Sequence, residues 1–241
     1  MRGSMRVGAA QFQTGGKNIL FDQTVEVLTA HCIAEVRPAL ARLEAAVAGG
    51  RCAAGYLAYE AAAAFDPALL THPAGELPLL WFGLYDRMEE RADRADEASY
   101  DVGRWKPLLS EEDYLAAIRR IRDHIAAGDT YQVNFTFPLR ADFRGDAGSW
   151  FRRLCLAQGN AYGAHINTGR FTILSISPEL FFSLDGTQLT TRPMKGTRPR
   201  GRWRAEDEAM AGALRSSEKE RAENVMIVDL LRNDMGRVSR T

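Results

Sequence analysis

Three groups of residues in this 241-residue chain combine types and spacing that could do chemistry. The first is Glu179 with Lys195. Glu179 follows Ser177-Pro178 at the head of an apolar run, and Lys195 follows the next such run, 188-QLTTRPM-194. Between the two runs, Asp185-Gly186 is a tight-turn signal. Pairing about that turn sets residues whose numbers sum to roughly 371 opposite each other. Lys195 then lies just beyond the partner of Glu179, at the same end of the ladder. Burial favours the neutral, nucleophilic form of an amine, and a neighbouring carboxyl group can act as general acid or base. Spacing alone favours a plainer arrangement, an exposed ion pair across a hairpin, which is common and worth little.

The second group is Glu220 and Glu223. At i, i+3 their carboxylates share one helix face. Two acids can hold a hard cation such as Mg²⁺, which takes one or two carboxylates plus waters and ligand oxygens. Acids are also favoured in a solvated first helical turn, and Lys219 and Arg221 beside them fit that reading. The third group, 232-RND-234, reads as a polar helix end. His31, His72, His124 and His165 are scattered without ligand spacing, and His124 falls within a helical stretch as a structural residue. The stretch 51-RCAAGYLAYEAAAAFDPAL-69 reads as core packing around Tyr56, Tyr59 and Glu60.

The elements that must position these groups follow from periodicity. Val25 to Cys32 and Leu79 to Leu84 are strand-like. A helix is expected after Arg37-Pro38, where proline suits a first turn, ending at Gly49-Gly50. Residues 86-DRMEERADRADEASYD-101 carry charge with no apolar face and read as a surface loop at a soft boundary. Ser110 caps a helix whose stripe is Leu115, Ile118, Ile121 and Ile125, closed by Gly128. Alternation in 130-TYQVNFTF-137 predicts a half-buried strand. A short helix over Trp150 to Ala157 precedes strands at 162–168, 171–177, 179–184 and 188–194. Helices follow at 206–216 and from Ser217, whose Glu220 three residues on suggests a capping box. Met226, Ile227, Leu230 and Leu231 are the expected buried stripe of that last helix, which Gly236 would end.

The element order predicts an α+β fold of layered antiparallel β-sheets with flanking helices rather than a doubly wound sheet. Two divisions are expected, 1–103 and 104–241.

Composition limits the function classes. Basic and acidic residues both number 31, so the net charge is zero and nothing points to nucleic acid or a membrane surface as partner. Apolar runs such as 61-AAAAF-65 are too short to span a bilayer. The N-terminus MRGSMRVGAA lacks the apolar core of a secretory signal. The three cysteines, Cys32, Cys52 and Cys155, are far apart and suit reduced thiols in a cytoplasm.

Taken together, 56-YLAYEAAAAFD-66, 128-GDTYQVNFT-136, 177-SPELFF-182, 192-RPMKGTRPRG-201 and 220-ERAENVMIVDLLRNDMGRV-238 resemble the chorismate-binding enzymes. Their order and spacing make the resemblance specific, and it points within the family to the aminodeoxychorismate synthase component I branch. The resemblance implies that Lys195 attacks chorismate at the second ring carbon with loss of the 4-hydroxyl, before ammonia adds at the fourth carbon and releases the enzyme. It implies that Glu179 is the acid/base for the leaving hydroxyl, that Gly196 and Thr197 line the substrate pocket, and that Glu223 (with Glu220 through water) binds Mg²⁺. Ammonia would come from a glutamine amidotransferase partner, and the product would feed folate synthesis.

Anthranilate synthases carry a small residue, usually Ala, where this chain has Lys195. An anthranilate synthase component I is therefore the alternative in the same class. A non-catalytic module that docks the amidotransferase or binds an aromatic amino acid is the alternative from another class. The resemblance also implies that the chain is a truncated form of the family fold. Its later acidic pair, His and Arg motifs and glycine-rich loops would follow Thr241, so an open sheet edge and an inactive isolated chain are expected.

Overall fold

The computed structural model describes residues 5–92, 98–159 and 162–239. In chain order the elements are β1 (Ala10–Thr14), β2 (Lys17–Phe21), β3 (Glu26–Ala30), α1 (Ile33–Ala48), β4 (Cys52–Leu57), a 3₁₀ turn (Tyr59–Ala64), β5 (Leu80–Tyr85), β6 (Glu89–Arg91), β7 (Tyr100–Val102), β8 (Lys106–Pro107), α2 (Glu111–Ala127), β9 (Leu139–Arg140), β10 (Phe143–Gly145), α3 (Ala147–Gln158), β11 (Tyr162–Asn167), β12 (Thr172–Ser177), β13 (Leu180–Asp185), β14 (Gln188–Arg192), α4 (Arg204–Ser216) and α5 (Glu218–Val238). Every strand pairing among the described residues is antiparallel, as the α+β expectation requires.

The described residues divide into two compact units, 5–92 with 153–239, and 98–152. In the larger unit a five-stranded sheet has the order β12-β11-β1-β2-β6, and a three-stranded sheet has the order β3-β5-β4. β5 holds two layers together. Leu80 and Leu84 face a core with Leu28, Ala30 and the α1 residues Val36 and Ala39. Trp81 and Tyr85 face a second core with Ala10 and Phe21 of the five-stranded sheet and Ile166 of β11. That two-sided burial is why 80-LWFGLY-85 reads as a continuous apolar run rather than an alternation. Each large side chain buried there contributes roughly 1.5–3 kcal/mol. The Tyr85 hydroxyl, inside the protein, donates to the Gly8 carbonyl at 2.5 Å.

In the smaller unit, Ser110 Oγ accepts the Asp113 N–H and Gly128 closes α2 in the left-handed conformation. Both ends of that helix lie where sequence placed them. Trp150 stacks on Phe143 at 4.9 Å and lies near Tyr100 and Trp105.

Several expectations are corrected. α1 begins at Ile33, so Pro38 lies inside the helix instead of in its first turn. The start is set by Glu35, whose carboxylate accepts the backbone N–H groups of His31 and Cys32, an anchor of capping-box type. The charged 86–101 stretch is not all loop. Glu89–Arg91 pairs with β2 and Tyr100–Val102 with β10, while residues 93–97 lie outside the described residues. The 130–137 segment forms no strand. Alternation gives two faces but no ladder, because no neighbouring strand pairs with it among the described residues. Phe135 and Phe137 instead pack on Tyr114 of α2, each with ring centroids 5.8 Å away. Tyr59 is 83% exposed rather than packed in the core. α5 runs through Gly236, and its expected stripe is only half-buried at Met226, Ile227 and Leu231, with Leu230 exposed.

Candidate active site

The site grows from the β13–β14 hairpin. Its two-residue loop is Gly186–Thr187, not Asp185-Gly186. Gly186 takes φ +57 at the first loop position, where a type II′ turn calls for glycine. The register therefore pairs Asp185 with Gln188, Leu184 with Leu189 and Ser183 with Thr190, then shifts through a bulge to Leu180 opposite Arg192. This moves the residue facing Glu179 further along the chain than the sequence-based register predicts, closer to Lys195.

Glu179 is fixed locally. Its N–H donates to Ser177 Oγ at 3.2 Å, and Ser177 Oγ donates back to the Glu179 carbonyl at 2.9 Å. Its side chain then reaches across the hairpin, where Glu179 Oε1 accepts the Met194 N–H at 3.0 Å. Glu179 is thus tied to the residue before Lys195. Among the described residues Lys195 makes no ion pair, so the exposed salt bridge that spacing favours is not what forms. Lys195 and Gly196 are half-buried and Thr197 is exposed.

The next contact joins the hairpin to the acidic helix. Gly196 has φ +75, and a Cβ built on it would lie 2.8 Å from Glu220 Oε2 and 3.2 Å from Glu220 Cβ. The lysine loop therefore sits directly against the first turn of α5. That turn is set by Ser217, whose Oγ accepts the Glu220 N–H at 3.4 Å. Glu220 and Glu223 lie one turn apart on the same face, both half-buried, and Lys219 Nζ is 3.7 Å from Glu223 Oε1. Two carboxylates on one face are oxygen donors of the class Mg²⁺ takes. Among the described residues no group of three or more His, Cys, Asp or Glu could hold a metal ion, so these two would supply only part of its shell. The 232-RND-234 segment is exposed near the end of α5, with Arg232 3.7 Å from Asp229.

Sequence reading missed Asp207. The sequence reading places Asp207 only within a helix at 206–216. Asp207 holds the far end of the lysine loop. Arg200 Nε and Nη2 donate to its two oxygens, each at 2.6 Å, and the Gly201 N–H donates to Oδ1 at 2.9 Å. These donors, the Arg200 fork first and the Gly201 amide second, lower its carboxyl from 3.8 to about 2. The basic run 198-RPRGRWR-204 ahead of the helix was the available signal. It does not say which arginine meets which acid.

Comparison with known proteins bears on the family and the fold. The chorismate binding enzyme family matches residues 9–241. The chain is 38% identical over 165 residues to aminodeoxychorismate synthase component 1 of Bacillus subtilis (strain 168), covering 68% of this chain and 34% of the relative. It is 40% identical over 136 residues to anthranilate synthase component 1 of Thermus thermophilus, covering 56% and 29%. Its fold matches the crystal structure of anthranilate synthase component I from Streptococcus pneumoniae with a TM-score of 0.69 at 20% identity, over 97% of this chain and 60% of that one. The chain belongs to the chorismate-binding enzyme family. It spans about a third of the length of the curated relatives it matches. No helix among the described residues is long and apolar enough to cross a membrane.

Proposed function

We propose that this chain serves the conversion of chorismate and ammonia to 4-amino-4-deoxychorismate, as aminodeoxychorismate synthase component I, in cytoplasmic folate synthesis. The observation that carries the reading is the placement of a half-buried lysine at the ladder end shared with Glu179, its loop packed on Glu220 through Gly196. In the proposed reaction the Lys195 amine bonds to the second ring carbon, the two conjugated ring double bonds each shift by one position, and the 4-hydroxyl leaves. Glu179 gives that hydroxyl its proton, so it departs as water rather than as hydroxide, a poor leaving group. Ammonia from a glutamine amidotransferase partner then bonds to the fourth carbon, and both double bonds shift back. The bond to Lys195 breaks, with the excess proton of the new amine returning to the enzyme. The sum is chorismate plus ammonia to aminodeoxychorismate plus water. Gly196 and Thr197 line the pocket by backbone and hydroxyl. Glu223, and Glu220 through water, would hold Mg²⁺, which would neutralise a substrate carboxylate.

Anthranilate synthase component I is the second reading, supported by the similarity to the Thermus relative. Lys195 weighs against it, because ring amination without a covalent enzyme intermediate has no use for an amine there. Lys195→Ala in the enzyme at its natural length decides between them. The proposal expects aminodeoxychorismate formation to be abolished, and retained activity would contradict it.

A further inference from the structure

The loop from Pro193 to Trp203 joins β14 to α4 and carries the proposed nucleophile. It has no secondary structure of its own, yet it is held at three places. Met194 is bonded to Glu179 and Gly196 rests on Glu220. The third hold involves more contacts than either. Arg200 forms a two-pronged bond to Asp207, and the Gly201 N–H joins the same carboxylate. Next to it the Arg202 N–H donates to Glu206 Oε2 at 2.5 Å and its guanidinium reaches Glu206 Oε1 at 2.9 Å. Gly201 lies so close to the helix that an added Cβ would meet the Asp207 N at 2.1 Å and Cα at 2.6 Å. These contacts put loop backbone against helix backbone.

Helix α4 has no side-chain cap at Trp203, so its first-turn acids are turned back onto the loop that enters it. A forked arginine–carboxylate pair fixes direction as well as distance. The Asp207 carboxylate stays ionised well below neutral pH, so the charged hold is present at neutral pH.

We propose that Asp207 is a positioning residue for Lys195: by anchoring Arg200 and Gly201 it closes the loop whose other end Glu179 holds, and so fixes where the lysine amine is presented. The functional meaning rests on Lys195 being the reacting amine, as proposed above. The anchor itself does not.

The test reads the loop without the reaction. The 241-residue chain is treated with an acetylating N-hydroxysuccinimide ester, and acetylation of Lys195 is measured against Lys17 and Lys106 by peptide mass mapping. Tryptic cleavage at Arg200–Gly201 is followed in parallel. Cleavage tracks the open population of a segment, so Asp207→Ala should cleave about tenfold faster. Lys195 should be acetylated about threefold faster relative to the references, once the loop opens locally. Asp207→Glu, which keeps the carboxylate, should return both rates towards those of the unsubstituted chain. If Asp207→Ala fails to fold, Arg200→Gln replaces it in the acetylation measurement, since the Arg200 side chain is 88% exposed and carries no core packing. Unchanged relative acetylation of Lys195 in the folded variant overturns the proposal, whatever the cleavage rate. Failure of Lys195 to react with chorismate would instead overturn the proposed reaction and leave this result standing.

Discussion

The Met194 N–H donates to the Glu179 carboxylate across the end of the β13–β14 hairpin at 3.0 Å. The bond orients the residue before Lys195, and the proposed reaction gives the same side chain a second role, as the acid for the departing hydroxyl. The two roles separate by substitution. Glu179→Gln keeps an acceptor for the amide but has no proton to exchange. It should lower kcat by about 10²–10⁴-fold, the usual worth of a general acid–base group, while leaving Lys195 acetylation near its unsubstituted rate. Glu179→Ala should lower kcat and also raise acetylation. Equal acetylation in both variants would show that the bond to Met194 does not order the loop.

Gly196 is the point where the lysine loop meets the acidic helix. Its φ of +75 costs other residues roughly 1–2 kcal/mol, and a methyl group there must displace the Glu220 carboxylate. Gly196→Ala should lower unfolding stability by about that amount. It should also weaken Mg²⁺ binding by about tenfold, the effect of disturbing the support of a metal ligand. Urea unfolding and metal titration measure the two losses. An unchanged Mg²⁺ affinity would separate Gly196 from the proposed metal face.

Asp207 supplies a pH prediction with a definite sign. Its carboxyl is lowered from 3.8 to about 2, chiefly by the Arg200 fork and then by the Gly201 amide. A group depressed by folding adds stability above its unfolded value, and that stability is lost as pH falls through the folded value. The anchor should therefore be intact at pH 5 and above and fail between about pH 4 and pH 2. Titration followed by carboxyl NMR should place Asp207 near 2 in the unsubstituted chain. In Arg200→Ala it should move up towards 3.8. A value that stays near 2 in the variant would mean that Arg200 is not the main cause.

Much of this arrangement is legible in the sequence where a local signal decides it. Ser110 and Gly128 mark both ends of α2, because capping depends on one or two residues. The antiparallel layering follows from strand runs separated by turn residues. The placement of Glu179 near Lys195 survives even though the turn is displaced, because both lie at the open end of a short hairpin. What sequence does not disclose depends on partners far along the chain. The 130–137 alternation looks like a strand, yet a strand exists only if another lies beside it. Pro38 suggests a helix start, but Glu35 begins the helix a turn and a half earlier by bonding backwards. Asp207 is hidden for the same reason: its role is set by which of several nearby arginines folds back to meet it.

The central claim is that Lys195 is a nucleophile towards chorismate. The most direct measurement is mass spectrometry of the enzyme at its natural length, incubated with chorismate and Mg²⁺ in the absence of ammonia and digested for peptide mapping. The account predicts an adduct with the mass of chorismate less one water on the peptide bearing Lys195, discharged when ammonia is added. Turnover to aminodeoxychorismate without any such adduct, or an adduct at another residue, would contradict it.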